Sequence, residues 1–286
     1  MMMVDGMVNN ETPGPARPML DKRAGRAVFG SDAQAYHAVR TGYPEALFAG
    51  LRDRCPPRPR ILEIGAGSGL ATDGLLALDP EEIVIVESDP DFVTFLRARF
   101  SHAPVTVINA PFPTADVTGP FDLAVCAAAF HWLDAGVALG AVKGLLAPGG
   151  VWAMWWNSYL NENMGDVFAE KAMALLRTSH VPLPPSFGVN GHESLNVAVQ
   201  RALLESAGLG NVEHWQWQHQ VYRETAEVRQ LFESFSFLRL LPGFERDRLL
   251  GQIAKLVETR FGGRAPGMVV TSCYLAQSQS TNQEQS

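Results

Sequence analysis

Cysteine is scarce. The 286-residue chain has three (Cys55, Cys126 and Cys273), far apart, with no C-x-x-C pair and no His/Cys set at ligand spacing. That argues against a disulfide framework and against a structural or catalytic metal, and it suits a reducing, cytoplasmic compartment. Basic residues are also short: 23 Lys and Arg stand against 30 Asp and Glu, for a net charge of −7, and no stretch gathers them. The chain therefore shows no electrostatic footprint for nucleic acid or for an anionic membrane. No run reaches the ~18 apolar residues of a membrane span. The N-terminus lacks the basic-then-apolar order of a signal peptide. What remains is a globular mix, 47% hydrophobic and 19% charged, with ample apolar mass for a core.

The organising stretch is 60–72. A short apolar run ends in Gly65, Gly67 and Gly69, spaced by single residues, and a helical pattern follows. This reads as strand, tight turn and helix. Glycines there permit backbone angles that a Cβ opposes and let a ligand lie against bare main chain. The helix start then aims free N–H groups at the turn. A second apolar run, 83–86, ends in Glu87, roughly twenty residues after the glycines, where a carboxylate can take both hydroxyls of a ribose. Together the two features predict a nucleoside cofactor. A dinucleotide fingerprint wants G-x-G-x-x-G/A. Here the third glycine comes one residue early and Leu70 holds the last position.

Glu63 with Gly65, Ala66, Gly67, Ser68 and Gly69 resembles the first motif of class I S-adenosylmethionine-dependent methyltransferases. Residues 121–132, running from Phe121-Asp122 through Ala127 to His131-Trp132, resemble that family's fourth-strand motif. Residues 145–152, with Pro148-Gly149-Gly150, resemble its turn into the fifth strand. The likeness spans 60–156 and is strongest to small-molecule enzymes of the trans-aconitate methyltransferase-like and ubiquinone/menaquinone-biosynthesis-like groups. It implies S-adenosylmethionine as cofactor and a small-molecule substrate, with secondary metabolism as one setting. It also implies that Glu63, residues 65–69, Glu87, Ser88 and Ala127 hold the cofactor. The loop of Asn109, Ala110, Pro111 and Phe112 would bracket the adenine. An upstream run, Tyr36 to Pro44, is similar to a segment that lies over the methionine end. There Tyr36 would cover the methyl site, Arg40 would pair with the methionine carboxylate, and Tyr43 would face the acceptor. Each has a plainer alternative: a surface ion pair for Arg40, core packing for the tyrosines and Phe112.

The rest of the chain predicts an α/β fold, a Rossmann-like seven-stranded, mostly parallel sheet with N-terminal helices and a helical lid inserted before the last strand. Strands are expected at 60–64, 83–87, 105–109, 121–126, 150–156, 212–222 and 268–276. Helices are expected at 69–78, 90–100, 132–146, 162–179, 194–207, 225–239 and 245–260. The domain reading is a flexible tail at 1–24, a helical segment at 25–58 capped by Ser31 or Asp32, and a cofactor-binding core at 59–158. Lid helices with the last strands then fill 159–277, and a disordered tail 278–286. Residues 181–185 read as a rigid extended break.

Methyl transfer from a sulfonium needs alignment and a dry cavity, and a base only if the acceptor loses its proton late. His131 is the best candidate base, with Tyr36 a second proton acceptor; His180 and His192 flank the break. The relatives' His-Trp pair also fits a structural role. Trp155, Trp156, Tyr159, Phe232, Phe235 and Phe237 are expected to line a pocket for an apolar or aromatic acceptor. A nicotinamide-dependent oxidoreductase, and a cofactor-binding protein without methyl transfer, are the alternatives. A homo-oligomer is conceivable.

Overall fold

The computed structural model describes residues 33–179, 181, 187–188 and 191–278. The expected tail at 1–24, the Ser31/Asp32 cap, His180 and residues 182–185 of the expected break lie outside the described residues, as does the C-terminal tail beyond Ser278.

Two helices come first: α1 (Ala33–Val39) and α2 (Glu45–Arg52), the latter N-capped by Pro44 with Glu45 in its first turn. Pro fixes its own φ and needs no N–H partner there. Strand and helix then alternate: β1 (Arg60–Ile64), α3 (Leu70–Leu76), β2 (Glu82–Glu87), α4 (Pro90–Arg99), β3 (Val105–Asn109), β4 (Phe121–Ala127), α5 (Ala135–Leu145) and β5 (Leu146–Ser158). The expected helix 132–146 is divided. His131 and Trp132 sit on a 3-10 turn (Phe130–Trp132), and the helix begins afresh where the Asp134 side chain accepts from Val137 N–H.

Beyond β5 lie α6 (Val167–Thr178), two short strands β6 (Phe187–Gly188) and β7 (Gly191–His192), α7 (Val197–Ser206) and β8 (Leu209–Glu224). Then come α8 (Thr225–Glu233), α9 (Ser236–Arg239), α10 (Gly243–Phe261) and β9 (Arg264–Ser278). The large sheet runs β3-β2-β1-β4-β5-β9-β8. β1 to β5 are parallel, and β9 runs antiparallel between β5 and β8. The order reverses between β1 and β4, so a crevice opens at their carboxyl ends, where such sheets bind ligands. Among the described residues no helix is long and apolar enough to cross a membrane.

Successive strand residues face opposite sides of the sheet. Leu62, Ala124, Trp152, Met154 and Trp156 pack under α5 and α7. Ile61, Leu123, Val125, Ala153 and Trp155 pack under α2 and α3. A third core is separate: α6, α8, α9 and α10 close around Phe168, Leu231, Phe232, Leu250 and Ile253. The helices inserted before the last strand thus carry their own hydrophobic interior.

Two of those helices depart from expectation. The stretch 162–179 is a 3-10 turn, then a left-handed Gly165 at φ 76°, then α6, capped by Asp166. The stretch 225–239 breaks at Phe235, whose backbone is extended. No proline or glycine marks that break.

Candidate active site

The turn after β1 is held in shape by its glycines. Gly65 sits at φ 69°, and a Cβ there would lie 2.7 Å from Ala129 Cβ. Gly69 caps α3 at φ 80°, where a Cβ would meet the Phe100 ring at 2.6 Å. Both positions need a left-handed backbone and a close neighbour, which only glycine supplies. Gly65 N–H is tied to Val86 O at 2.9 Å, so the turn rides on the end of β2.

β2 delivers Glu87 to the same place. Its Oε2 accepts from Gly67 N–H at 2.9 Å and its Oε1 from Asp89 N–H at 2.9 Å. A carboxylate oxygen has two lone pairs, so each keeps acceptor capacity for a ligand hydroxyl. Burial raises the Glu87 pKa, and the backbone hydrogen bonds hold it back. Beside it the Asn109 amide donates to Glu87 O at 3.1 Å, and Ala110 N–H reaches the same oxygen at 3.1 Å. That arrangement turns the loop so that Ala110 and Phe112 face the crevice.

A cavity of about 200 Å³ runs from this turn beneath α1 to the helical cap. It gathers most of the residues picked out in the sequence. Tyr36, Arg40, Tyr43, Gly65, Ala66, Gly67 and Ser68 line it, as do Glu87, Ser88, Ala110, Phe112 and Ala127. At the far end it is lined by His131, Trp156, Tyr159, Phe235 and Phe237. Six of the expected residues stand outside the lining. Gly69, Asn109 and Pro111 shape the turn and the loop from behind. Glu63 is buried at the end of β1, where Thr72 Oγ1 donates to its Oε2 at 2.7 Å; its Oε1 has no partner. Burial pushes the Glu63 carboxyl up to about 8, with the Thr72 bond opposing and Asp73 and Glu87 adding to the rise.

The other two are corrections to the expected acceptor pocket. Trp155 points to the opposite sheet face from Trp156, and Tyr43 and Phe48 meet it edge-on at 5.7 and 6.2 Å. Phe232 belongs to the core of the cap, against Phe168 and Phe235. The break at Phe235 sends Phe235 and Phe237 toward the cavity and leaves Phe232 behind.

Arg40 is the hub of the upper wall. Its guanidinium lies 5.0 Å from the Tyr36 ring, 5.0 Å from Phe235 and 5.5 Å from Tyr159, within cation–π range. One Nη donates to Ser234 O at 2.8 Å, and the buried Nε has no partner. The helix α1 is pinned a turn earlier. Arg99 forks onto Asp73 at 2.7 and 2.8 Å while its other nitrogen reaches the His37 ring and Ser68 O. His37 Nδ1 also meets Ser68 Oγ at 3.2 Å. Burial and the Arg99 cation lower the His37 pKa, opposed by Asp73 and Ser68.

Lining residues that went unpicked include Phe92, Asn157 and Ser236. Phe92, on α4, meets Tyr36 edge-on at 5.7 Å. Asn157 donates to Thr41 O and Gly42 O, strapping the segment before α2 to β5. Ser236 enters with the cap; His192, named in the sequence beside the break, enters from β7. Asn157 alone had a local signal, a polar side chain at the carboxyl end of a core strand beside Trp156.

Residues 62–152 match the family model described as a methyltransferase domain. An uncharacterised methyltransferase-like protein of Schizosaccharomyces pombe is 25% identical over 234 residues, covering 81% of this chain and 86% of the relative. Among solved structures, a cyclopropane synthase of Mycobacterium tuberculosis superposes with a TM-score of 0.53 at 14% identity, over 94% of this chain and 100% of that one. A phosphoethanolamine N-methyltransferase of Haemonchus contortus, solved with phosphomonomethylethanolamine and S-adenosylhomocysteine, gives 0.51 at 12% identity, over 87% of this chain and 57% of that one. At these identities the solved structures speak for the fold.

Proposed function

For this chain, a class I S-adenosylmethionine-dependent methyltransferase, we propose methyl transfer to oxygen, nitrogen or carbon of a small acceptor with a largely apolar or aromatic body. The observation that carries it is the far end of the cavity, where Tyr36, Tyr43, Trp156, Tyr159, Phe235 and Phe237 converge. Such a wall excludes water and favours a flat or apolar guest.

The residues present suit the cofactor. The left-handed turn at Gly65 leaves the space that a Cβ would fill, and Glu87 keeps lone pairs for a ribose diol. Ala110 and Phe112 flank the place of the base. Arg40, with an unpartnered buried Nε, and Tyr36 stand over the methionine end. The cofactor supplies an electrophilic methyl group on a sulfonium. The protein's part is to bind both reactants and hold them in line, worth up to roughly 7–11 kcal/mol of the barrier. A cytoplasmic enzyme of secondary metabolism is the setting we propose.

Calorimetric titration with S-adenosylmethionine, S-adenosylhomocysteine and NAD, with Glu87→Ala as control, tests the site. Binding of the first two that collapses in the variant is expected. Unchanged binding in Glu87→Ala would remove the ribose role. Acceptors are then sought by mass spectrometry for a gain of one methyl group.

A further inference from the structure

Residues 40–44 join α1 to α2 as an irregular strap. Backbone polar groups outside helices and sheets still need partners. Here distant side chains supply them, and they converge on Thr41. The Thr41 N–H donates to Tyr159 Oη at 3.2 Å, just past the end of β5. The Asn157 amide on β5 donates to Thr41 O at 2.8 Å and to Gly42 O at 3.0 Å. The Arg223 guanidinium on β8 donates to Thr41 Oγ1 at 2.7 Å. The backbone N–H, the carbonyl and the hydroxyl of Thr41 are thus all held by side chains at least 116 positions away.

The holding groups are themselves fixed. Asn157 Oδ1 accepts from Thr271 Oγ1 on β9 at 2.6 Å, which turns its Nδ2 toward the strap. Thr271 is fully buried. Arg223 is half-buried. Its guanidinium lies 5.9 Å from the Tyr159 ring, and that of Arg40 lies 5.5 Å from the same ring. The cavity runs beneath this strap. Arg40 and Tyr43 line it; Thr41, Arg223 and Thr271 do not. The bonds to Thr41 therefore act on the cavity through the residues on either side of it. Arg40 carries the hold on to the cap by its bond to Ser234 O.

We infer that Thr41 is a positioning residue: with Arg223 and the Thr271–Asn157 pair it holds Arg40 and Tyr43 over the cavity, and so sets how fast a ligand beneath the strap is released. The identity of that ligand, S-adenosylmethionine or its product, rests on the methyltransferase reading above. Lifting the strap breaks the bonds of Thr41 and Gly42 together. Weakening any one shifts the closed strap toward the open one. The Arg223 bond has a charged donor and is the strongest of the set.

Stopped-flow release of S-adenosylhomocysteine tests this, read from the intrinsic fluorescence of Trp132 and Trp156 in the cavity wall. Val fills the space of Thr without the Oγ1 acceptor. Thr41→Val and Arg223→Met should each release the product roughly tenfold faster, the factor for one charged hydrogen bond. Thr41→Ser keeps the acceptor and should release at the wild-type rate. The double variant Thr41→Val/Arg223→Met should be no faster than either single one, because both remove the same bond. Thr271→Val should also speed release, by freeing the Asn157 amide. A second readout needs no ligand. Amide exchange in a peptide covering 36–48 of the ligand-free chain should quicken in Thr41→Val and Arg223→Met and stay unchanged in Thr41→Ser. Wild-type release from Thr41→Val, equal acceleration in Thr41→Ser and Thr41→Val, or unchanged exchange in both bond-breaking variants overturns the inference. If Thr41→Val does not fold, Arg223→Met and Thr271→Val carry the test from outside the strap. Calorimetry of S-adenosylhomocysteine on the wild-type chain separates the two readings. No binding there removes the methyltransferase reading, and the exchange rates still decide the role of Thr41.

Discussion

Replacing Glu63 with Gln should change how stability depends on pH more than it changes stability at any one pH. Glu63 is fully buried at the end of β1, with one carboxyl oxygen bonded to Thr72 and the other unpartnered. Desolvation is the main reason its carboxyl stands at about 8 instead of the ordinary 4.5. A pKa raised by folding favours the folded state fully below the unfolded value, and that advantage is lost as pH rises through the folded value. Each pH unit in the window costs about 1.4 kcal/mol, so from pH 5 to pH 7 the wild-type chain gives up about 2.7 kcal/mol. Water entry and local relaxation reduce this, and the figure is a ceiling.

Gln keeps the oxygen that accepts from Thr72 and has nothing to titrate. Its amide adds a buried donor without a partner, at about 1–3 kcal/mol, independent of pH. The drift between the two proteins is therefore diagnostic, and their difference at a single pH is not. Urea or thermal unfolding of both, at pH values between about 5 and 8, measures it. Relative to wild type, the variant should gain up to about 2.7 kcal/mol between pH 5 and pH 7, or roughly 5–11 °C in Tm for a domain of this size. Parallel curves would refute the reasoning and would mean that Glu63 is ionised in the fold, with a donor at its second oxygen.

Gly65→Ala forces a Cβ to 2.7 Å from Ala129 at φ 69°. It should cost at least about 1–2 kcal/mol from the left-handed backbone alone and weaken S-adenosylhomocysteine binding, read by calorimetry; adding Ala129→Gly should recover only part, because the backbone strain stays. His37, its pKa lowered by burial and by Arg99, contributes stability that is whole above its ordinary 6.5 and is lost as pH falls through the lowered value. Proteolysis within α1 should accelerate over that range in wild type and become insensitive to pH in His37→Asn. Asp166→Ala removes the cap of α6 and the acceptor of Met268 N–H, both bonds 2.8 Å. A loss of roughly 2–4 kcal/mol in chemical denaturation is expected, and a loss under 1 kcal/mol would show that water replaces both bonds.

The end of the cavity at the glycine turn was legible because main chain builds it. A glycine turn, an acid at the end of the next strand and an apolar run are local features, each visible within ten residues. The acceptor half is assembled from segments far apart in the chain. Arg40 meets Ser234 across 194 positions, and Asn157 meets Thr41 across 116. Alternation places Trp155 and Trp156 on opposite faces of β5, but which face carries the cavity depends on which helices cover it, and two tryptophans in a row hold no hint of that. Phe232 and Phe235 read as parts of one helix because nothing local breaks 225–239. The break stands where the Arg40 guanidinium bonds Ser234 O and lies against the Phe235 ring. It is a tertiary event, met by Arg40 just beyond the end of α1.

The same asymmetry governs His131. Sequence ranks it as a base because imidazole titrates near neutrality, and by residue type that ranking is sound. Its Nδ1, however, accepts from the Trp156 indole, 25 residues downstream on β5. Residue types told which groups could move a proton. What the imidazole meets is decided by the fold: the Trp156 indole N–H donates to Nδ1 at 3.1 Å, a contact that no local pattern announces.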